Sequence, residues 1–290
     1  MATKGIILAG GNGTRLSPLT DATSKHLLPV YDKPMIFYPL SILMLAGIKD
    51  VLVISNPQHL DHFKSVLSDG YFLGMNIEYE IQDQPKGIGE ALLIGENFIN
   101  NDNVCLILGD NIFWGNYFSS VLKNVEKEFL RGANIFSYTV KNPEDYGVVE
   151  LDKDHNVLSI EEKPSNPKSS LAITGLYFFD NNCVEKVKTI KPSQRNELEI
   201  TDLNKLYLDE SIIKCTHLGR GFTWLDAGTH ENLLSASTFV QTIEERQGFK
   251  IACVEEIALS KGWIKKNELV DYLIDKPKSS YYEYIRALIS

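Results

Sequence analysis

The stretch Gly10-Gly11-Asn12-Gly13-Thr14-Arg15 carries the first residue types able to do chemistry. Glycine takes positive φ and lets backbone approach a ligand closely. A turn of this kind can aim several N–H groups at one point, which makes an anion site. Arg15 adds a permanently charged planar fork suited to phosphate oxygens, and Lys25 a second cation ten residues on. The plainer readings are a tight turn after a strand and a solvated surface lysine. The turn is not a P-loop, because no Gly-Lys-Ser/Thr follows, nor a full dinucleotide fingerprint, because Leu16 stands where the third glycine belongs.

Two aspartates follow apolar runs. Asp110 ends Leu106-Ile107-Leu108-Gly109, and Asp226 follows Trp224-Leu225 in a turn containing Gly228. Together they could hold one Mg²⁺, which takes one or two carboxylates with phosphate oxygens and waters. Each is equally an Asp in a strand-to-loop turn. Gln82-Asp83-Gln84-Pro85-Lys86-Gly87 offers an amide for a base edge and a glycine for a flat ring, or is simply a polar loop. Glu161-Glu162-Lys163-Pro164 reads by pattern as a charged turn stopped by proline. His59 and His62 are three apart on a helix, but no third metal ligand stands nearby, so they read as a solvated face. There is no Gly-x-Ser-x-Gly elbow, and no Cys is placed with a His as a nucleophile.

The elements that must position these residues follow from periodicity. Strands are expected at residues 4–8, 50–55, 76–82, 104–108 and 133–140, and helices at 35–46, 57–69, 89–98 and 118–130. This alternation indicates βαβ units in a mainly parallel sheet, with ligands beyond the carboxyl ends of the strands. After residue 140 the pattern changes to a hairpin at 147–160, a long strand at 171–179, helices at 181–190 and 199–209, and a strand at 212–218. From residue 231 the chain is mostly helical. The expected architecture is an α/β core over residues 1–240, with a nucleotide part at about 1–140 and a small β insertion in the part at 141–240. Residues 241–290 form a helical tail packed on it.

Composition bounds the function. With 290 residues, 43% of them hydrophobic and 23% charged, the chain has the make-up of a soluble globular protein with a large core. A net charge of −9 argues against a surface that coats nucleic acid, so a phosphate site must be built locally. No apolar run approaches a membrane span, and no apolar stretch behind Met1-Ala2-Thr3-Lys4 reads as a signal peptide. Cys105, Cys183, Cys215 and Cys253 are scattered in or beside apolar runs and read as buried free thiols of a cytoplasmic protein.

In order and spacing these segments resemble the bacterial sugar-1-phosphate nucleotidyltransferases, over nearly the whole chain. The carriers include Leu8-Ala9-Gly10-Gly11-Asn12-Gly13-Thr14-Arg15-Leu16-Ser17-Pro18, Ser24-Lys25-His26-Leu27-Leu28-Pro29-Val30 and Leu108-Gly109-Asp110-Asn111. Glu161-Glu162-Lys163-Pro164, Thr174-Gly175-Leu176-Tyr177, Glu197-Leu198-Glu199-Ile200-Thr201-Asp202 and Trp224-Leu225-Asp226-Ala227-Gly228-Thr229 continue the match. The resemblance implies a Rossmann-like α/β fold with a mixed sheet and a Mg²⁺-dependent reaction. In it, glucose 1-phosphate attacks the α-phosphate of dTTP, giving dTDP-glucose and pyrophosphate. By motif, Gly10, Gly13, Thr14, Arg15 and Lys25 would bind the nucleotide phosphates, and Gln82 and Gly87 would face the thymine. Leu8, Gly11, Pro85 and Asp110 would complete the nucleotide's surroundings. Asp110 and Asp226 would be the metal ligands. Asn111, Gly147, Glu162, Ile173 and Tyr177 would surround the sugar, with Lys163, and second to it Arg195, on the sugar phosphate. Arg15, Lys25, Lys163, Asp110 and Asp226 would carry the catalysis.

The resemblance also implies a homotetramer, with deoxysugars for a cell-surface polysaccharide downstream. Gly89 and Glu90 depart from the usual Ala-Gln, and His26 from the usual Gln, next to the nucleotide. Leu259 and Ser260 replace Tyr and Arg in the tail, where many members carry a feedback site. The alternatives are a uridylyl- or cytidylyltransferase, a thymidylyltransferase for another hexose phosphate, or a silent sugar-nucleotide-binding regulator. A nicotinamide dehydrogenase lacks its third glycine.

Overall fold

Residues 5–9, 51–54 and 104–108 are continuous apolar runs, the pattern of strands covered on both faces. In the computed structural model, which describes residues 2–128 and 131–290, they are neighbours. Thr3–Ala9 pairs in parallel with Asp50–Ser55 on one side and Asn103–Leu108 on the other, with Leu8 level with Ile54 and Leu108. Asn76–Ile81 extends the parallel set. The long strand Leu171–Phe179 lies antiparallel to Asn103–Leu108, followed outward by Ala133–Thr139 and then Ile213–Leu218. The hairpin Gly147–Leu151 and Val157–Glu162 completes a mixed sheet.

The long strand changes partners halfway. Ala172 aligns with Val148 of the hairpin, whereas Leu176 to Phe179 align with Ile107 to Val104. The register against Ala133–Thr139 shifts between Ile173 and Tyr177. Inside this break the Gly175 N–H donates to Asn111 Oδ1 at 2.9 Å. A Cβ on Gly175 would lie 2.7 Å from that oxygen, so the approach requires glycine.

Helix Phe37–Ala46 starts two residues later than the periodicity suggests and ends at Gly47, with φ 95°. It is buried nearly all round, between the sheet, helix Phe118–Glu128 and helix Val254–Ser260. The tail therefore supplies core. Val254, Leu269 and Ile285 belong to the same apolar cluster as Ile7, Leu40 and Val53. Residues 129 and 130 of the expected 118–130 helix, and Met1, lie outside the described residues. The helix expected at 57–69 is Leu60–Leu67, and the one at 89–98 divides at Gly95 into Glu90–Ile94 and Glu96–Ile99. Gly95 packs closely on the sheet: a Cβ there would lie 2.8 Å from Ile6 Cδ1. The sequence reading missed a ribbon in which Phe222–Asp226 pairs antiparallel with Asn111–Gly115. All four cysteines are free; Cys215 is half-buried rather than buried. His59 and His62 stack on each other, and the described residues contain no group of three or more His, Cys, Asp or Glu able to hold a metal.

A buried ionic square ties the tail to the segment after Lys25. Lys33 Nζ lies 2.5 Å from Asp32 Oδ1 and 3.1 Å from Glu244 Oε1, and Lys250 closes the square on Asp32 and on Glu244 Oε2 at 2.7 Å. Glu244 also accepts the Ile251 N–H at 2.9 Å. Removing one corner leaves uncompensated buried charge, so Glu244→Ala is expected to cost about 3 kcal/mol of stability. Urea denaturation checks this; a loss no larger than that of an exposed pair would contradict it.

Candidate active site

The carboxyl ends of Thr3–Ala9 and Asn103–Leu108 open onto a cavity of about 420 Å³. The glycine loop forms one wall. Gly13 sits at φ 62°, ψ 25°, and its carbonyl accepts from Thr20 Oγ1 at 2.9 Å. A 3-10 turn, Thr14–Leu16, follows; it buries Leu16 completely and leaves Arg15 exposed at the cavity. Gly10 is required elsewhere, because a Cβ there would lie 2.2 Å from Gln82 Oε1. Of the residues expected around the nucleotide, Leu8, Gly11, Arg15, Lys25, Gln82, Pro85, Gly87 and Asp110 line the cavity. Gly10, Gly13 and Thr14 are not among the lining residues.

The ribbon brings the two aspartates together. Asp226 aligns with Asn111, and the Ala227 N–H donates to the Asp110 carbonyl at 3.0 Å. Lys25 Nζ donates to Asp110 Oδ2, and Asn111 Nδ2 to Asp110 Oδ1 at 2.9 Å. Burial works to raise the Asp110 carboxyl, but Lys25 beside it holds it well below the usual carboxylate range. Asp226 goes the other way: burial, then the negative charge of Asp110, pushes its carboxyl up to about 6, against the pull of Lys25 and Arg15. Among the described residues Asp226 Oδ1 is buried without a hydrogen-bond partner. Two adjoining carboxylates, one with an unused buried oxygen, suit a hard divalent cation that completes its shell with phosphate oxygens and water.

Asn111 holds the corner. Its Oδ1 accepts from Gly175 N–H at 2.9 Å and from Trp224 Nε1 at 2.6 Å, so one amide joins the central strand, the partner switch and the ribbon. Gln82 is 2% exposed, and its Nε2 donates to Glu90 Oε2 at 2.7 Å. Glu90 also accepts the Lys86 N–H at 3.2 Å. Gly87, at φ 98°, packs on Leu198, whose N–H donates to the Lys86 carbonyl at 2.7 Å. The loop at 82–90 is thereby stitched to the far half of the chain.

Gly147, Glu162, Ile173 and Tyr177 line the cavity as well. Glu162 Oε2 accepts from Thr201 Oγ1 at 2.5 Å. Lys163, at φ 41°, is exposed at the rim, and among the described residues its ammonium has no partner. Arg195 differs: it is held by Glu199 at 2.9 Å and 3.0 Å and by Glu162 at 3.2 Å, so its charge is already shared. Sequence reasoning did not single out Tyr146, Thr201 or Asn204 as lining residues. A signal existed for the last two: they are polar residues on the buried side of helix Ile200–Asp209, where apolar side chains are the norm.

The Nucleotidyl transferase family matches residues 4–243. A glucose-1-phosphate thymidylyltransferase of Neisseria meningitidis is 54% identical over 286 residues, covering 99% of each chain. A solved Bacillus anthracis chain, named a candidate glucose-1-phosphate thymidylyltransferase and in complex with sucrose, superimposes with TM-score 0.76. It is 40% identical and covers 82% of this chain and 95% of its own. A UDP-glucose pyrophosphorylase solved with UDP-glucose gives TM-score 0.70 at 27% identity, covering 83% of this chain and 99% of its own. The chain belongs to the nucleotidyl transferase family, within its glucose-1-phosphate thymidylyltransferase branch. Members of the family generally use a divalent metal ion. Among the described residues no helix is long and apolar enough to cross a membrane.

His26 supports Lys25 from below. It is 2% exposed, its Nδ1 lies 3.1 Å from Ser24 Oγ, and the ring also pairs with the Ala9 carbonyl. Burial, then the adjacent Lys25, pushes the imidazole down to about 3 from its ordinary 6.5. The unfolded chain gains a proton as pH falls through 6.5 and the folded protein does not, so stability drops on the acid side. Between pH 7.5 and 5 this amounts to about 2 kcal/mol. His26→Gln removes the difference, and its urea midpoint is expected to fall less over that interval than the wild type's. Equal falls would contradict the assignment.

Proposed function

We propose that the protein transfers a thymidylyl group from dTTP to glucose 1-phosphate, releasing dTDP-glucose and pyrophosphate. The full-length identity of 54% to a glucose-1-phosphate thymidylyltransferase carries this reading. The cavity supports it: a triphosphate wall with two carboxylates lies at one end, and a free lysine beside a carboxylate at the other.

The chemistry asks little covalent work of the protein. A sugar 1-phosphate is largely dianionic at neutral pH and needs no general base. Its oxygen bonds to the α-phosphorus as the bond to the pyrophosphate oxygen breaks. The obstacle is bringing two polyanions into line, so positioning and charge neutralisation dominate. Arg15 and Lys25 would offset the triphosphate and Lys163 the attacking phosphate. Asp110 and Asp226 would hold Mg²⁺, which supplies charge neutralisation at the phosphates when bound. Gln82 and Gly87 would face the thymine, and Asn111, Gly147, Glu162, Ile173 and Tyr177 the sugar. With Nε2 donating to Glu90, Gln82 presents Oε1, an acceptor, which suits the N3–H shared by thymine and uracil. Within this reading the enzyme is a cytoplasmic homotetramer, a state that light scattering measures.

Pyrophosphate release across a matrix of nucleoside triphosphates and sugar phosphates tests the substrates. The dTTP–glucose 1-phosphate pair is expected to give the highest kcat/KM and CTP the lowest; preference for another pair would overturn the assignment. Asp110→Asn is expected to lose most turnover, at least a hundredfold in kcat, while nucleotide binding by calorimetry largely survives. A wild-type-like kcat would sink the metal role. Lys163→Met is expected to raise KM for the sugar phosphate more than for dTTP, and the reverse pattern would reassign that lysine.

A further inference from the structure

Helix Ile200–Asp209 turns Thr201 and Asn204, one helical turn apart, toward the sugar end of the cavity. Thr201 is engaged with Glu162. Asn204 is not. Its side chain is 0% exposed, yet both amide atoms, Nδ2 and Oδ1, are buried without a hydrogen-bond partner among the described residues. A buried amide with both ends unpaired is costly, and native proteins rarely keep one without an occupant to satisfy it. The residue also lines the cavity, so the amide that lacks a partner belongs to the wall of a space that a ligand can fill.

We propose that Asn204 is a sugar-recognition residue: Nδ2 donates to one ring hydroxyl and Oδ1 accepts from the neighbouring one. Adjacent hydroxyls on a pyranose offer an acceptor and a donor side by side, the complement of a carboxamide. Arg195 is already shared among Glu162, Glu197 and Glu199. Asn204 adds a neutral contact sensitive to hydroxyl position. A site that pairs its buried polar groups with substrate hydroxyls rejects analogues lacking them far better than an apolar wall rejects a changed shape. The inference rests on the sugar-phosphate reading of the cavity.

The test compares wild type, Asn204→Leu and Asn204→Asp with dTTP and either glucose 1-phosphate or its 2-, 3-, 4- and 6-deoxy analogues. Melting temperatures are measured alongside. Asn204→Leu is expected to raise KM for glucose 1-phosphate about tenfold or more, leaving KM for dTTP within about twofold. On at least one deoxy analogue the wild type loses a similar factor, and the variant loses nothing further, because the same contact is missing twice. Asn204→Asp keeps the shape and carries the same cycle should the leucine variant fold poorly. Additive losses on every analogue, or an unchanged KM for glucose 1-phosphate, would assign the amide to a buried water and overturn the proposal. A wild type inactive with glucose 1-phosphate would remove the sugar-phosphate reading and this inference together, whereas an active wild type with additive variants removes this inference alone.

Discussion

Asp110 and Asp226 repel each other, and burial strengthens the repulsion. Much of the surrounding structure can be understood as what holds them together. The ribbon fixes them through main-chain pairing between segments more than a hundred residues apart, so neither can drift away to relieve the strain. Lys25 supplies the nearest countercharge and Arg15 a second. His26, kept neutral, adds no further charge beneath. The result is an acidic pair made tolerable by cations, in a protein whose net charge of −9 would otherwise disfavour polyanions.

The same corner joins the two halves of the cavity. Asn111 is next to Asp110 in sequence and reaches Gly175 and Trp224 through one oxygen. Leu198 reaches back to the loop at 82–90. Both ties use backbone groups left over where regular pairing is interrupted, at the register break and in the glycine-containing loop. Unpaired backbone groups in a buried setting must find partners, and here those partners belong to the opposite half.

Much of this was legible in the residues. Apolar runs marked the central strands, and the resemblance linked Asp110 to Asp226, which spacing alone did not. The ribbon was hidden because Asn111–Gly115 and Phe222–Asp226 are short and mix polar with aromatic residues; the sequence of either alone reads as a turn. The break at Gly95 was hidden inside a stretch whose apolar residues keep one helical period across the glycine. Arg195, the second candidate on the sugar phosphate, is held by Glu197 and Glu199 close by in sequence and by Glu162, which only folding brings near. The helix Phe37–Ala46 is buried nearly all round because the tail covers it, a fact no local window contains.

The change of partners along Leu171–Phe179 bears on how such a protein can diversify. The hairpin at the sugar end aligns with the strand before Gly175, and the nucleotide-side strand aligns with it after that point. Substitutions on one side of the pivot therefore repack against a different neighbour from those on the other. On the proposed assignment of the two ends, sugar preference and base preference would therefore be tuned on opposite sides of one pivot, each against its own neighbouring strand.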